Sequence, residues 1–124
     1  MRKILILIVA ICSLVCTTGC LSSVDTQPRF KMYPTDNMFI FLKLDSATGQ
    51  IWMVQYAMGE REGVVVPLDA SSLLTSGESK VSGRYELYPT ENMFTFIMLD
   101  TQGGSTYQVQ WNIEEDKRFR IPLN

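Results

Sequence analysis

The stretch YPTDNMF at Tyr33–Phe39 returns as YPTENMF at Tyr88–Phe94. The similarity extends well beyond these seven residues: at a shift of 55 residues, Arg29–Asp69 aligns with Arg84–Asn124 without a gap, and 16 of the 41 aligned positions are identical. A repeat of this length indicates one supersecondary unit used twice, because stacked copies bury apolar faces that a single copy would leave exposed. The sequence therefore predicts two similar halves.

Within each half the patterns are those of β-strands and hairpin turns. The clearest strand alternates Trp52, Val54 and Tyr56 with Met53 and Gln55, and its counterpart alternates Tyr107, Val109 and Trp111 with Gln108 and Gln110. Period-2 alternation predicts a strand with one buried and one wetter face. We therefore expect the aromatic face to be buried in both halves.

The expected fold class is all-β. Four strand segments in each copy predict two tandem four-stranded antiparallel meanders, and one such sheet alone would be marginally stable. We expect the meanders to close as a pseudo-two-fold sandwich or small barrel. Propeller-blade-like repeats are the alternative, although two blades cannot close a ring without further copies.

The N-terminal residues predict an export signal. Arg2 and Lys3 precede an apolar run, Ile4–Val15, and Thr17-Thr18-Gly19 leads into Cys20. This arrangement resembles the lipobox of bacterial lipoproteins, which implies cleavage before Cys20 and lipidation of that cysteine. At position 17, Thr stands where the family usually has Leu or another aliphatic residue, and an ordinary secretory signal or an uncleaved anchor is the alternative.

This resemblance and the repeat predict the organisation of the chain. Residues 1–19 form the signal peptide, 20–28 a lipid-anchored tether, 29–69 the first repeat, 70–83 a linker rich in Ser, Thr and Gly, and 84–124 the second repeat, with 29–124 as one globular domain. The expected location is the bacterial cell envelope, with the outer membrane or periplasmic face favoured over the cytoplasm. The anchor makes the membrane the first expected partner.

Composition argues against several classes of function. The chain has no His, and Cys20 is its last cysteine, so neither the commonest general base nor a thiolate zinc site is expected. Cleavage would leave nine basic side chains against 13 acidic ones, which is unfavourable for binding nucleic acid. We predict no catalytic residues, no metal, no cofactor and no nucleic-acid partner.

Two carboxylates recur at equivalent positions, Asp45 and Asp100. A pair of acids could act in glycoside hydrolysis, but an Asp that opens a turn usually accepts hydrogen bonds from its own loop. We expect that structural role. We also expect Asp45–Gly49 to be a solvated hairpin tip rather than a calcium loop, because it offers one carboxylate where tight sites gather several.

Four residues are candidates for ligand binding. Gln55 and Gln110 lie opposite the aromatic residues of their strands, as solvent-facing positions or as amides presented to a sugar or peptide. Tyr33 and Tyr88 precede the proline turns, as packed side chains or as exposed platforms.

The expected function is therefore non-enzymatic: a small envelope lipoprotein whose β module binds a protein, peptide or glycan at the membrane surface. The alternative is an inhibitor or immunity-type protein that blocks a hydrolase through the loops at Asp45–Gly49 and Gly59–Gly63. The repeat also resembles one found in small exported bacterial proteins, a resemblance that implies structure but no activity.

Overall fold

The computed structural model describes residues 27–124, which form eight strands and one short 3-10 helix. Cys20, the signal and most of the tether lie outside the described residues. The elements are β1 (Phe30–Pro34), β2 (Ile40–Asp45), β3 (Ile51–Gln55), β4 (Val64–Asp69), β5 (Tyr85–Pro89), β6 (Thr95–Asp100), β7 (Thr106–Gln110), the 3-10 helix (Glu115–Lys117) and β8 (Phe119–Leu123).

Each repeat forms one sheet whose strands follow sequence order. Sheet 1 has the order β1-β2-β3-β4 and sheet 2 the order β5-β6-β7-β8, with every neighbouring pair antiparallel. The prediction of an all-β protein made of two tandem four-stranded meanders is confirmed. The two sheets do not close into a barrel.

The YPTxNMF stretch is the turn between the first two strands of each sheet. In the first copy the Thr35 hydroxyl donates to the Ile40 carbonyl over 2.8 Å, and Asn37 Oδ1 accepts from the Phe39 N–H over 3.0 Å. In the second copy Thr90 and Asn92 make the same two bonds at the same two lengths. Because Thr and Asn side chains hold the turn closed, their recurrence reflects a backbone requirement.

Each sheet has two faces, which the strand register defines. We call the front face the one that carries Phe41 and Val54 in sheet 1, and Phe96 and Val109 in sheet 2. The back face carries Leu44 in sheet 1 and Leu99 in sheet 2. Residues 55 apart therefore lie on the same named face of their sheets.

The core lies between the back face of sheet 1 and the front face of sheet 2. One continuous cluster combines Ile40, Leu42, Leu44, Ile51 and Met53 from the first copy with Tyr85, Leu87, Phe96, Met98, Val109 and Trp111 from the second. The linker contributes Leu73 and Leu74 to the edge of this cluster. Stacking is thus front to back, with opposite faces of the two copies in contact.

This stacking overturns one prediction about the first repeat. Trp52 and Val54 lie on the outer, front face and are partly exposed, and Tyr56 is 45% exposed, whereas Met53 is buried. In the second repeat the aromatic face is buried as expected, with Val109 and Trp111 inaccessible. A two-fold axis would bury equivalent residues equally, so the front-to-back stacking of the copies rules out the predicted pseudo-two-fold arrangement.

Candidate functional site

Front-to-back stacking leaves the front face of sheet 1 uncovered. Its exposed side chains are mostly apolar: Phe30 is 51% exposed, Met32 53% and Val65 56%. Phe41 and Val54 lie between them and are partly exposed. Contiguous exposed apolar surface on a small protein marks an interaction site more often than scattered apolar residues do.

Cations lie against two aromatic rings of this face, and one of them is the Arg29 guanidinium, which pairs with Asp45 and lies 5.2 Å from the centre of the Phe30 ring. The Lys43 ammonium lies 4.7 Å from the centre of the Trp52 ring, on the neighbouring strand. A cation above an indole ring is held by the ring quadrupole, and it screens the ring from water. The face therefore offers an apolar surface with an Arg29–Asp45 ion pair at one end, and its largest ring is already covered by the Lys43 cation.

The back face of sheet 2 is uncovered as well. Tyr88, Ile121 and Leu123 are between 42% and 46% exposed, and Ile97 and Leu99 are partly exposed beside them. This face is more polar than its counterpart in sheet 1, because three polar residues replace three apolar ones: Thr95 for Ile40, Thr106 for Ile51 and Gln108 for Met53. The two uncovered sheet faces therefore differ in polarity.

Tyr33 and Tyr88, the two predicted tyrosines, occupy equivalent positions in unlike surroundings. Tyr33 lies at the junction of the sheets, where its hydroxyl accepts a hydrogen bond of 3.4 Å from the Leu87 N–H of the edge strand β5. Burial is the largest effect on the Tyr33 hydroxyl and raises its pKa. Tyr88 is 45% exposed, and its hydroxyl donates to Glu86 over 2.8 Å, which raises the Tyr88 pKa.

Gln55 and Gln110 do not form a shared binding surface. Both lie on the back face of their sheet, so Gln55 is on the side that faces the core and Gln110 is on the uncovered side. Gln110 donates to the Lys117 carbonyl over 3.1 Å, which ties β7 to the following 3-10 helix. The geometry gives these two amides no common ligand.

The recurrent carboxylates, Asp45 and Asp100, each accept hydrogen bonds from an arginine and from the N–H groups of the following loop. Arg84 Nη2 and Nε donate to the two oxygens of Asp100 over 2.9 and 3.0 Å, and the N–H groups of Gln102 and Gly103 donate to it as well. The Arg84 hydrogen bonds are the main reason that the pKa of Asp100 falls to about 2. Arginine and loop donors around both oxygens favour a structural role.

Asp45 has the equivalent arrangement in the first copy. Arg29 donates to both oxygens of Asp45, with the shortest distance 2.9 Å, and the Ala47 N–H donates over 3.0 Å. Burial acts to raise the pKa of Asp45, but these hydrogen bonds outweigh it and hold the pKa below its ordinary value. Both acids are therefore ionised and fully engaged near neutral pH.

The sequence predicted that the Asp45–Gly49 loop is a solvated hairpin tip. This prediction is wrong, because the loop is buried. Asp45, Ser46, Ala47 and Thr48 are all at most 2% exposed. The Ser46 carbonyl accepts from the Tyr85 N–H over 2.9 Å, and the Thr48 carbonyl accepts from the Leu73 N–H over 2.8 Å. Sheet 2 and the linker cover this loop, whereas the equivalent loop of sheet 2 is exposed.

A small cleft lies where the two YPT turns come together. It is lined by Pro34, Thr35, Pro89 and Thr90 among others, and has an empty volume of about 200 Å³ that includes open solvent. In residues 27–124 no group of three or more His, Cys, Asp or Glu side chains could hold a metal ion.

The described part of the chain contains no helix long and apolar enough to cross a bilayer. A scan against protein-family models and searches of curated proteins and of solved structures found no match to this chain.

Sequence reasoning did not identify these faces, although the repeat contains a signal for them. On the front face the first copy has Lys43 where the second has Met98, and on the back face the second copy has Gln108 where the first has Met53. Lysine and glutamine are seldom fully buried. A position-by-position comparison of the copies thus indicates which face of each sheet is covered.

Proposed function

We propose that this protein is a non-enzymatic lipoprotein of the bacterial cell envelope that binds another polypeptide at the membrane surface. Cys20 carries the lipid, residues 21–28 form the tether, and the two-sheet body presents the binding surface. The observation that carries the proposal is the uncovered front face of sheet 1, where Phe30, Met32 and Val65 are each more than half exposed.

Three features favour a polypeptide over a glycan or a small ligand. The face is an open sheet surface rather than a cleft, which suits a partner with an apolar surface of its own. Trp52 is covered by Lys43 and so is a poor stacking platform for a sugar ring. The predicted amides Gln55 and Gln110 lie on different sides of the molecule.

The chemistry of the acids also supports a non-enzymatic role. Asp45 and Asp100 are saturated by arginine and by loop N–H groups, so neither is poised to transfer a proton near neutral pH. The inhibitor alternative now depends on the exposed Gly59–Gly63 turn, since Asp45–Gly49 is buried.

The lipid anchor is tested by detergent-phase partitioning of the full chain made in a bacterial host. Two or more acyl chains on one residue give stable membrane anchoring. Wild-type protein should enter the detergent phase, and Cys20→Ala protein should stay in the aqueous phase. A Cys20→Ala protein that partitions like the wild type contradicts the lipid anchor.

The binding surface is tested by capturing partners from a detergent extract of the envelope. Val65→Glu places a charge on the uncovered face, at a side chain that is 56% exposed, and should abolish capture. Ser76→Glu adds the same charge to the exposed linker and serves as the control. Capture that survives Val65→Glu excludes this face as the binding surface.

A further inference from the structure

We propose that the polypeptide bound by this surface is a second copy of the same chain. The back face of sheet 2 in one molecule covers the front face of sheet 1 in the next, so that the chains associate head to tail. This inference rests on the proposed function in that it names the partner. Its basis is that the contact already exists once inside each molecule, between the same two faces of the repeat.

The two uncovered faces carry many of the residues that meet in the internal contact. On the front face, Phe41 and Val54 are identical to the buried Phe96 and Val109. On the back face, Leu99 is identical to the buried Leu44, and Ile97 replaces the buried Leu42. The two surfaces therefore repeat part of the two sides of an existing core, with Thr95, Thr106 and Gln108 making the back-face side more polar than its buried counterpart.

Backbone contacts at the sheet junction have equivalents across the proposed interface. Within one molecule the Tyr33 hydroxyl accepts from the Leu87 N–H. A shift of one repeat places the Tyr88 hydroxyl at the N–H of Met32 in the next molecule. Tyr88 would then have a junction role matching that of Tyr33, which accounts for a tyrosine at this position in both copies.

Charge is complementary as well. Within one molecule Lys31 forms an ion pair of 3.6 Å with Glu86, which occupies the equivalent position in the second repeat. Across the proposed interface Glu86 of one molecule would meet Lys31 of the next. Opposite charges therefore alternate through the whole stack, whereas a lysine or a glutamate in both copies would have produced repulsion at each junction.

The contact between molecules is weaker than the contact within one. Lys43 replaces the buried Met98 on one side, and Gln108 replaces the buried Met53 on the other. Val65 also lacks the hydrogen bond of 2.6 Å that its equivalent, Arg120, donates to the Gly49 carbonyl. A more polar interface with fewer hydrogen bonds predicts association that reverses on dilution.

Head-to-tail contacts generate closed rings when the rotation between units closes, and filaments when it does not. Propellers of four-stranded blades typically contain about four to eight blades, which corresponds to about two to four chains of two blades each. Rotation about one axis keeps every chain at the same height along that axis. A ring therefore suits chains that are all tethered to one membrane surface.

The test uses full-length protein purified in a non-ionic detergent and three variants. Val65→Glu alters the front face of sheet 1, Ile121→Glu alters the back face of sheet 2 where Ile121 is 46% exposed, and Ser76→Glu is the linker control. Light scattering combined with absorbance and refractive index gives the protein mass apart from detergent. Unchanged circular dichroism and urea midpoints verify that each variant folds.

The expected results are distinct for each sample. Wild type and Ser76→Glu should have a mass two to four times that of one chain at high concentration and the mass of one chain on dilution. Val65→Glu and Ile121→Glu should each have the mass of one chain at every concentration. An equal mixture of the two should form a 1:1 dimer that grows no further, because each variant retains the face that the other has lost.

Three outcomes overturn the proposal. Wild type could have the mass of one chain at all concentrations, in which case capture of an envelope protein that depends on Val65 would leave the proposed function intact. Association could be lost in Val65→Glu but kept in Ile121→Glu, which would indicate a symmetric contact between two front faces. The mixture of variants could also fail to form a dimer, which excludes a head-to-tail contact.

Discussion

Two pairs of identical residues allow a test of which face of each sheet is covered. Leu44 and Leu99 occupy the same repeat position on the back face, and Phe41 and Phe96 occupy the same position on the front face. Leu44 is inaccessible and Leu99 is partly exposed, whereas Phe96 is 3% exposed and Phe41 is partly exposed. Truncation to alanine should therefore cost more in the first copy at the leucine position and more in the second copy at the phenylalanine position.

The expected loss of stability at each position follows from how deeply the side chain is buried. A fully buried Leu→Ala change costs about 2–5 kcal/mol and a buried Phe→Ala change about 3–5 kcal/mol, because a cavity is added to the lost transfer free energy. We expect about 3 kcal/mol for Leu44→Ala and about 4 kcal/mol for Phe96→Ala. At the partly exposed partners, Leu99→Ala and Phe41→Ala, about 1 kcal/mol is expected because solvent fills the space.

Urea unfolding, followed by circular dichroism at a dilution where the protein is monomeric, measures these differences. A small protein loses about 1–3 kcal/mol of stability per molar urea, so a gap of about 2 kcal/mol within a pair separates the midpoints by roughly 1 M. Dilution matters because Leu99 and Phe41 lie on faces that associate in the proposed assembly. Costs that agree within about 0.5 kcal/mol inside each pair would refute front-to-back stacking.

Two further predictions concern the loops that follow β2 and β6. Gly49 and Gly104 both have φ of +79°, so alanine is strained at either position by about 1 kcal/mol. A Cβ at Gly49 would also lie 2.6 Å from Leu73 of the linker, while nothing lies within 4 Å at Gly104. Gly49→Ala should therefore lower the free energy of unfolding, measured in urea, by about 1 kcal/mol more than Gly104→Ala does. This difference should disappear when both changes are made in a Leu73→Ala background. Asp100 has a pKa lowered from 3.8 to about 2 by Arg84, so its ion pair stabilises the fold above about pH 4 and is lost as the pH falls towards 2. That change should cost about 2 kcal/mol in unfolding measured against pH, and an Asp100→Asn variant with the same acid sensitivity would show that this ion pair is not the cause.

The sequence predicted the elements of this fold well because their signals are local. The YPTxNMF turns recur since Thr35 and Asn37 close the backbone with their own side chains, and the third strand of each copy has clear period-2 alternation. Both sheets formed as four-stranded meanders in sequence order. The signals for the turns and the strands lie within each copy.

The relation between the sheets could not be predicted in the same way. Strand β3 is apolar on both faces, with Ile51 and Met53 on one and Trp52 and Val54 on the other, so its alternation does not indicate which face is covered. Which face of each sheet is covered depends on how the two copies stack against each other. For the same reason the Asp45–Gly49 loop was wrongly predicted to be solvated, since Tyr85 and the linker cover it only after the sheets have stacked.

For the candidate site as well, the sequence predicted the positions but not their surroundings in the stacked sheets. Tyr33 and Tyr88 were predicted as notable positions from their recurrence alone, yet only the stacked sheets distinguish a junction tyrosine from an exposed one. Gln55 and Gln110 seemed equivalent because their strand patterns match, but stacking places them on opposite sides of the core.

Collisional quenching of the two tryptophans tests front-to-back stacking most directly. Trp52 lies on the uncovered front face of sheet 1, beside the Lys43 ammonium, and Trp111 is 1% exposed in the core. In monomeric protein, a Trp111→Phe variant, which retains only Trp52, should be quenched more strongly by iodide than a variant that retains only Trp111, because Trp52 is partly exposed although Lys43 lies over its ring. A Trp52→Phe variant, which retains only Trp111, should resist quenching. Equal protection of both rings, or a more accessible Trp111, would contradict the account.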